Sequence, residues 1–187
     1  MDAHSMGYTL QQLSDLEEIR QLKARYFRCI DTGAEAELAT LFTEDVTIDL
    51  KGGGYRLQVS GRQEMVNFIG SSFNSDIIAM HQGHTPEIEL VSADDARGTW
   101  YLQDRFINPL QGTDTSGSSL YYDTYRRTAE GWKIASSEYE RVFEEVRPIA
   151  PNAQLTAHML ARTGRPPEAR VDTARWLTWY EEGRADG

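Results

Sequence analysis

Leu10, Leu13, Leu16, Ile19, Leu22, Tyr26, Cys29 and Ile30 recur at intervals of three and four, with charged residues between them. That spacing predicts a long amphipathic helix lying on a core and ending near Asp31. Thr9 with Gln12, or Ser14 with Glu17, supplies a capping box at its start, and Gly33 a stop. A short second helix is expected over residues 34–42, burying Leu38, Leu41 and Phe42. The period then drops to two. Val46, Ile48 and Leu50 alternate with polar residues, and Gly52-Gly53-Gly54 turns the chain back through Leu57 and Val59, a β-hairpin pattern. Helical spacing returns over residues 61–73 through Met65, Phe68 and Ile69. Runs rich in β-formers follow at 77–91, 96–107 and 120–127, the last turning at Ala129-Glu130-Gly131 into 132–142. Residues 108–118, rich in Gly, Ser, Thr and Asp, read as a loop.

Helices first and an antiparallel sheet after them make an α+β pattern. Long strands with helices on one face are expected to curl into a cone whose mouth holds a small ligand. Pro148 and the Arg165-Pro166-Pro167 string interrupt the pattern beyond it. The expected organisation is therefore one domain over residues 1–147 and a helical extension over 148–187. A final helix over 168–182 would carry Val171, Ala174, Trp176, Leu177, Trp179 and Tyr180. Its aromatic cluster reads as packing, or as cover for a pocket mouth or a partner subunit.

With 187 residues, 40% of them hydrophobic, the chain is long enough for one sizeable core. The net charge of −10 argues against nucleic-acid or anionic-membrane partners. No run approaches the roughly 18 apolar residues of a membrane span, and the N-terminal MDAHSMGYTL lacks the regions of a signal peptide. One cysteine, Cys29, excludes an internal disulfide, and a cytoplasmic location is expected.

Against that background, a few residues carry chemistry. Asp31 closes the first helix and His81 sits in a strand. A carboxylate that holds an imidazole makes a general base near neutral pH, where an unperturbed histidine titrates. Strand alternation puts His81 with Ala79, Gly83 and Thr85, and His84 on the other side unless Gly83 forms a bulge. The same alternation disfavours a His81/His84 metal pair, and no metal is expected. Trp100, Leu102, Asp104 and Phe106 share a face, and a carboxylate among such neighbours needs a partner or a polar site. Tyr26 lies on the stripe of the first helix. Singly, each has an ordinary structural reading; together they suit elimination or isomerisation beside a carbonyl. The Asp31-Thr32-Gly33 string ends a helix instead of following a strand, so it is not an aspartic-protease motif. Gly52 to Gly54 lacks a phosphate-loop setting.

The order of these pieces resembles a known family. L-x-x-L-x-x-I-x-x-L-x-x-x-Y-F-x-x-I-D, ending at Asp31, is followed by L-A-T-L-F-T-E-D-V, by H-Q-G-H-T-P-E-I from His81, and by A-R-G-T-W-Y. Y-x-D-x-Y-R-R-x-x-x-G-W-K-I closes the series. Together, over residues 9–145, they resemble the SnoaL-like branch of the nuclear transport factor 2-like superfamily. The nearest look is to dehydratases of the bile-acid 7α and scytalone types. The resemblance implies a cone-shaped α+β barrel, a deep pocket and a homodimer formed through the outer sheet face, or a higher homo-oligomer. It also implies a cofactor-free dehydratase acting on a hydrophobic cyclic hydroxy-carbonyl compound such as a steroid or polyketide. Asp31 and His81 match its base dyad, Tyr26 its tyrosine one turn earlier, and Asp104 its acidic strand residue. Arg141, with Trp100, Tyr55 and Phe106, would bind substrate. Family dehydrochlorinases carry a lysine at Tyr26, and the scytalone type a second histidine near Trp100 or Leu102; both departures favour dehydration of steroid type. A ketosteroid-type isomerase, or a non-catalytic binding or dimerisation module, remains as an alternative. Alternation sets Arg141 with Tyr139 and Ser137, opposite Trp132 and Ile134, and leaves open which set faces the pocket.

Overall fold

The opening stripe becomes α1 (Leu10–Thr32) in the computed structural model, which describes residues 7–180. Thr9 and Gln12 form its capping box, and Gly33 ends it with a left-handed φ of 66° that side chains other than glycine's tolerate poorly. The buried stripe includes Leu16, Ile19, Leu22, Tyr26, Cys29 and Ile30. After α2 (Glu35–Thr40) comes the hairpin of β1 (Phe42–Lys51) and β2 (Tyr55–Ser60), then α3 (Arg62–Ser72). Four long strands follow: β3 (Ile78–Leu90), β4 (Asp95–Asn108), β5 (Thr113–Thr128) and β6 (Gly131–Pro148).

These strands form one sheet in the order β3-β4-β5-β6-β1-β2-β7, where β7 is Leu177–Trp179. Every neighbouring pair is antiparallel except β1 with β6. The sheet is strongly curved but not closed, and α1 crosses its inner side against β3. The α+β cone read from the sequence is the architecture observed.

Two expectations fail at strand ends. The loop expected over 108–118 shrinks to a turn at 109–112, and β5 starts at Thr113. Its Gly117 pairs with Asp104 on one side and Glu144 on the other. A Cβ there would lie 2.7 Å from Phe143 O and 3.0 Å from Arg141 Nη1, so this strand needs glycine for passage. Strand β6 also departs from simple alternation. Its register shifts opposite Thr124/Tyr125 and opposite Ser118/Ser119, so Ala135 and Val142 are extra residues. The first bulge resets the phase, and Trp132 and Ile134 then share the inner face with Ser137, Tyr139 and Arg141. The sequence reading had set these groups on opposite faces.

The helix expected over 168–182 is absent within the described residues. Single turns of 3-10 helix stand at Pro167–Ala169 and Ala174–Trp176, after a four-residue helix α4 (Leu160–Thr163), and β7 follows. Residues 181–182 lie outside the described part. Tertiary contacts override the helical spacing: Leu160 is buried, Trp176 packs edge-on against Phe68, and β7 adds to the edge of β2.

Candidate active site

His81 enters the fold opposite Asp104 in the β3–β4 pairing, while Asp31 arrives on the last turn of α1. The two halves of the dyad meet. His81 Nδ1 is 2.6 Å from Asp31 Oδ1, and the His81 backbone N–H donates to Asp31 Oδ2 at 2.8 Å. Binding both the ring and the backbone of one residue fixes the carboxylate in place. It also selects the tautomer with hydrogen on Nδ1, leaving Nε2 as a base. Only 8% of the imidazole is exposed. Phe27 stacks parallel to it at 6.2 Å and Phe73 meets it edge-on at 5.1 Å.

Gly83 makes the Phe27 stack possible, since a Cβ there would lie 2.3 Å from the Phe27 ring. The strand's bulge is not at Gly83 but between His84 and Glu87, where Thr85 takes a φ of 40°. His84 faces solvent on the other side.

The dyad opens onto a cavity of about 380 Å³. Tyr26, Tyr55, His81, Asp104, Phe106 and Arg141 all reach its wall. Asp31 backs His81 from behind. Trp100, expected to bind substrate, does not line it: it is buried elsewhere in the core and donates through Nε1 to Tyr125 Oη at 2.8 Å.

Arg141 and Asp104 are fastened to each other. Nη1 donates to Oδ1 at 2.7 Å and Nη2 to Oδ2 at 2.9 Å, across β5 at Gly117. Ser119 Oγ lies 3.2 Å from Nη1. Arg141 Nε is 2.9 Å from Glu144 Oε2 as an ion pair without hydrogen-bond alignment. Burial works against the guanidinium's charge, but the bonds to Asp104 together with the nearby Tyr139 and Glu144 outweigh it and hold its pKa above the ordinary value. Both Asp104 carboxylate oxygens are taken up in holding Arg141.

Tyr26, Tyr55, Tyr121 and Tyr139 also line the cavity. Burial pushes the Tyr26 hydroxyl well above its ordinary pKa, against a smaller lowering by Tyr121, so it stays a hydrogen-bond donor. Tyr55 and Tyr139 share a hydrogen bond of 2.9 Å. Beneath Tyr26 and outside the cavity, fully buried Lys23 sits 2.7 Å from Asp123 and 3.7 Å from the Tyr121 ring centroid. Burial lowers the Lys23 pKa and Asp123 opposes that shift. The sequence reading missed Phe27, Phe73, Tyr121, Tyr139, Glu144 and the Lys23–Asp123 pair. Alternation in the Tyr121–Tyr125 string already placed Asp123 between two aromatic residues, the same signal that marked Asp104.

The family model described as "SnoaL-like domain" matches residues 11–138. This chain belongs to the SnoaL-like domain family. Solved structures with the nuclear transport factor 2-like fold resemble this SnoaL-like protein. A type 2 hexachlorocyclohexane dehydrochlorinase superposes with a TM-score of 0.69 at 17% identity, covering 79% of this chain and 99% of that one. A putative scytalone dehydratase from Novosphingobium aromaticivorans gives 0.63 at 20%, covering 78% and 97%. A nuclear transport factor 2-like protein with a cystatin-like fold from the same organism gives 0.60 at 27%, covering 71% and 85%.

Proposed function

We propose that this SnoaL-like protein is a cofactor-independent lyase that eliminates water from a hydrophobic cyclic β-hydroxy carbonyl compound or its vinylogue. The observation that carries the reading is the His81–Asp31 contact of 2.6 Å at the wall of a cavity that aromatic and aliphatic side chains line around a few polar groups. His81 Nε2 takes the acidic proton beside the carbonyl. Asp31 keeps the hydrogen on Nδ1 and stabilises the imidazolium that results. The electron pair moves into the enolate, whose collapse forms the new double bond and expels hydroxide, which leaves as water on taking the proton from the His81 imidazolium and so restores the base. Tyr26 donates to the enolate or the departing hydroxyl. Asp104 orients Arg141 instead of serving as an acid. The likeness to a hexachlorocyclohexane dehydrochlorinase and a putative scytalone dehydratase of the same fold supports an elimination. A cytoplasmic homodimer goes with this reading, supported by Tyr101, Leu120 and Tyr122 clustered on the outer sheet face. Sedimentation tests the dimer.

The test is a screen of hydroxylated steroid and polyketide-type ketones for new conjugated-enone absorbance, with the product weighed. Loss of the mass of water supports dehydration; an isomer of unchanged mass replaces it with isomerisation. On a substrate so found, His81→Ala and Asp31→Asn each lower kcat by about 10²- to 10⁴-fold without loss of the folded transition. Full activity in both variants overturns the proposal.

A further inference from the structure

The matched family domain stops at residue 138, and the dehydrochlorinase fold is complete with 79% of this chain. The C-terminal segment nevertheless reaches the cavity. It leaves β6 and runs past the end of α1 and along α3, tied at successive points. Arg165 grips Glu35 with two bonds of 2.7 and 2.6 Å, Arg170 pairs with Asp76 at 2.7 Å, and Arg175 with Glu64 at 2.7 Å. Its final strand then pairs Leu177 with Leu57 and Trp179 with Tyr55, and Tyr180 N–H donates to Gly54 O at 2.9 Å.

Alternation along β7 turns Leu177 and Trp179 to one side, and both line the cavity. The Trp179 ring sits 5.8 Å from Tyr55 at a tilt of 60°, yet 68% of the residue is exposed. A large aromatic ring held at a mouth with so little cover has apolar surface left for a ligand. Charge narrows the ligand class further. Asp104, Glu144 and the Asp31 behind His81 set three carboxylates against one guanidinium, and that guanidinium is occupied by its neighbours. An anion entering here finds repulsion and no free guanidinium or ammonium among the described lining residues. A cavity of about 380 Å³ stands near the small end of the usual range of about 300–1,000 Å³, which suits fused rings.

We infer that Leu177 and Trp179 are specificity-determining residues, and that the cavity takes an uncharged, flat ligand of at least two fused rings whose outer ring lies against Trp179. This rests on the cavity's being the substrate site of the proposed lyase, but not on the elimination chemistry. The probes are therefore 2-naphthol, 2-naphthoate and phenol, titrated by calorimetry into the full chain. 2-Naphthol is expected to bind at least tenfold more tightly than 2-naphthoate. Trp179→Ala should weaken 2-naphthol about five- to tenfold and phenol less than twofold, with Trp179→Phe recovering most of the loss. Leu177→Ala should follow the same pattern, and Val91→Ala, exposed beyond the end of β3 and away from the cavity, should change neither. Circular dichroism confirms that each variant is folded; should Trp179→Ala unfold, Trp179→Leu and Leu177→Ala decide. Equal binding of naphthol and naphthoate, no binding of naphthol, or an equal loss for one and two rings overturns the inference. Because the readout is binding, a failure of the lyase reading would leave these results standing.

Discussion

Arg141 and Asp104 meet through two parallel hydrogen bonds of 2.7 and 2.9 Å, although a whole strand separates the strands that carry them. Gly117 lets them meet, because it puts no side chain between. The charge on each is matched by the other, and each side chain is only 11% exposed.

Removing one partner should therefore cost more than removing both. Asp104→Ala leaves a guanidinium with only Glu144 and Ser119 nearby and should lower stability by about 2–4 kcal/mol. Asp104→Leu combined with Arg141→Met should cost less than that single change. Urea unfolding of the variants measures both, and a double variant less stable than Asp104→Ala would refute the account.

Gly83→Ala should unseat Phe27 and, through it, the imidazole. The added Cβ would sit 2.3 Å from the Phe27 ring, and overpacking of this kind costs about 1–3 kcal/mol. Phe27→Leu in the same background relieves the clash and should restore part of the lost thermal stability. Unchanged melting of Gly83→Ala would show that the stack is slack.

Asp15 gives a pH-dependent contribution. Burial alone would raise its pKa, but hydrogen bonds from Arg127, Gln11 and Trp132 outweigh that and hold it below the ordinary value. A folded-state value below the unfolded one means stabilisation above the unfolded pKa of about 3.9, lost as pH falls through the folded value. Asp15→Asn should thus destabilise by about 1–3 kcal/mol at pH 7. The gap to the parent protein should narrow below pH ~4. Denaturant melts across pH test this, and a constant gap speaks against it.

Cys29 should be inert in the native protein. Burial is the main cause that pushes its thiol up to about 11, so little thiolate exists at pH 8. Ellman's reagent should find no thiol at that pH until urea is added, and then one per chain. Rapid native labelling would contradict its burial in α1.

The helix-ending Asp31 and the strand-borne His81 were legible because each lies in an element with a clear period, and the family pattern then paired them. Leu10–Thr32 and the β1–β2 hairpin were legible for the same reason. Arg141's side was not, since Ala135 shifts the register of β6 without any glycine or proline to mark the place. Gly117 misled in the opposite direction. A Gly/Ser-rich string resembles a loop, yet here small residues clear a path for an ion pair inside a sheet. The last segment misled because Val171, Ala174, Trp176 and Leu177 carry helical spacing while their partners, Phe68 on α3 and Leu57 on β2, lie far away in sequence. Trp100 was assigned to the right inner face but the wrong depth, a coordinate that alternation does not encode.

The short strand laid along β2 has an effect beyond ligand choice. At the far border of the sheet, β3 carries Pro86 and the kink at Thr85, both poor templates for another chain. The β2 border has no such guard apart from Leu177–Trp179. Proteolytic clipping before Leu177 would uncover unpaired amides and carbonyls beside Leu57 and Tyr55. The shortened molecule would then be primed to zip onto its own kind, so an intact tail guards against aggregation.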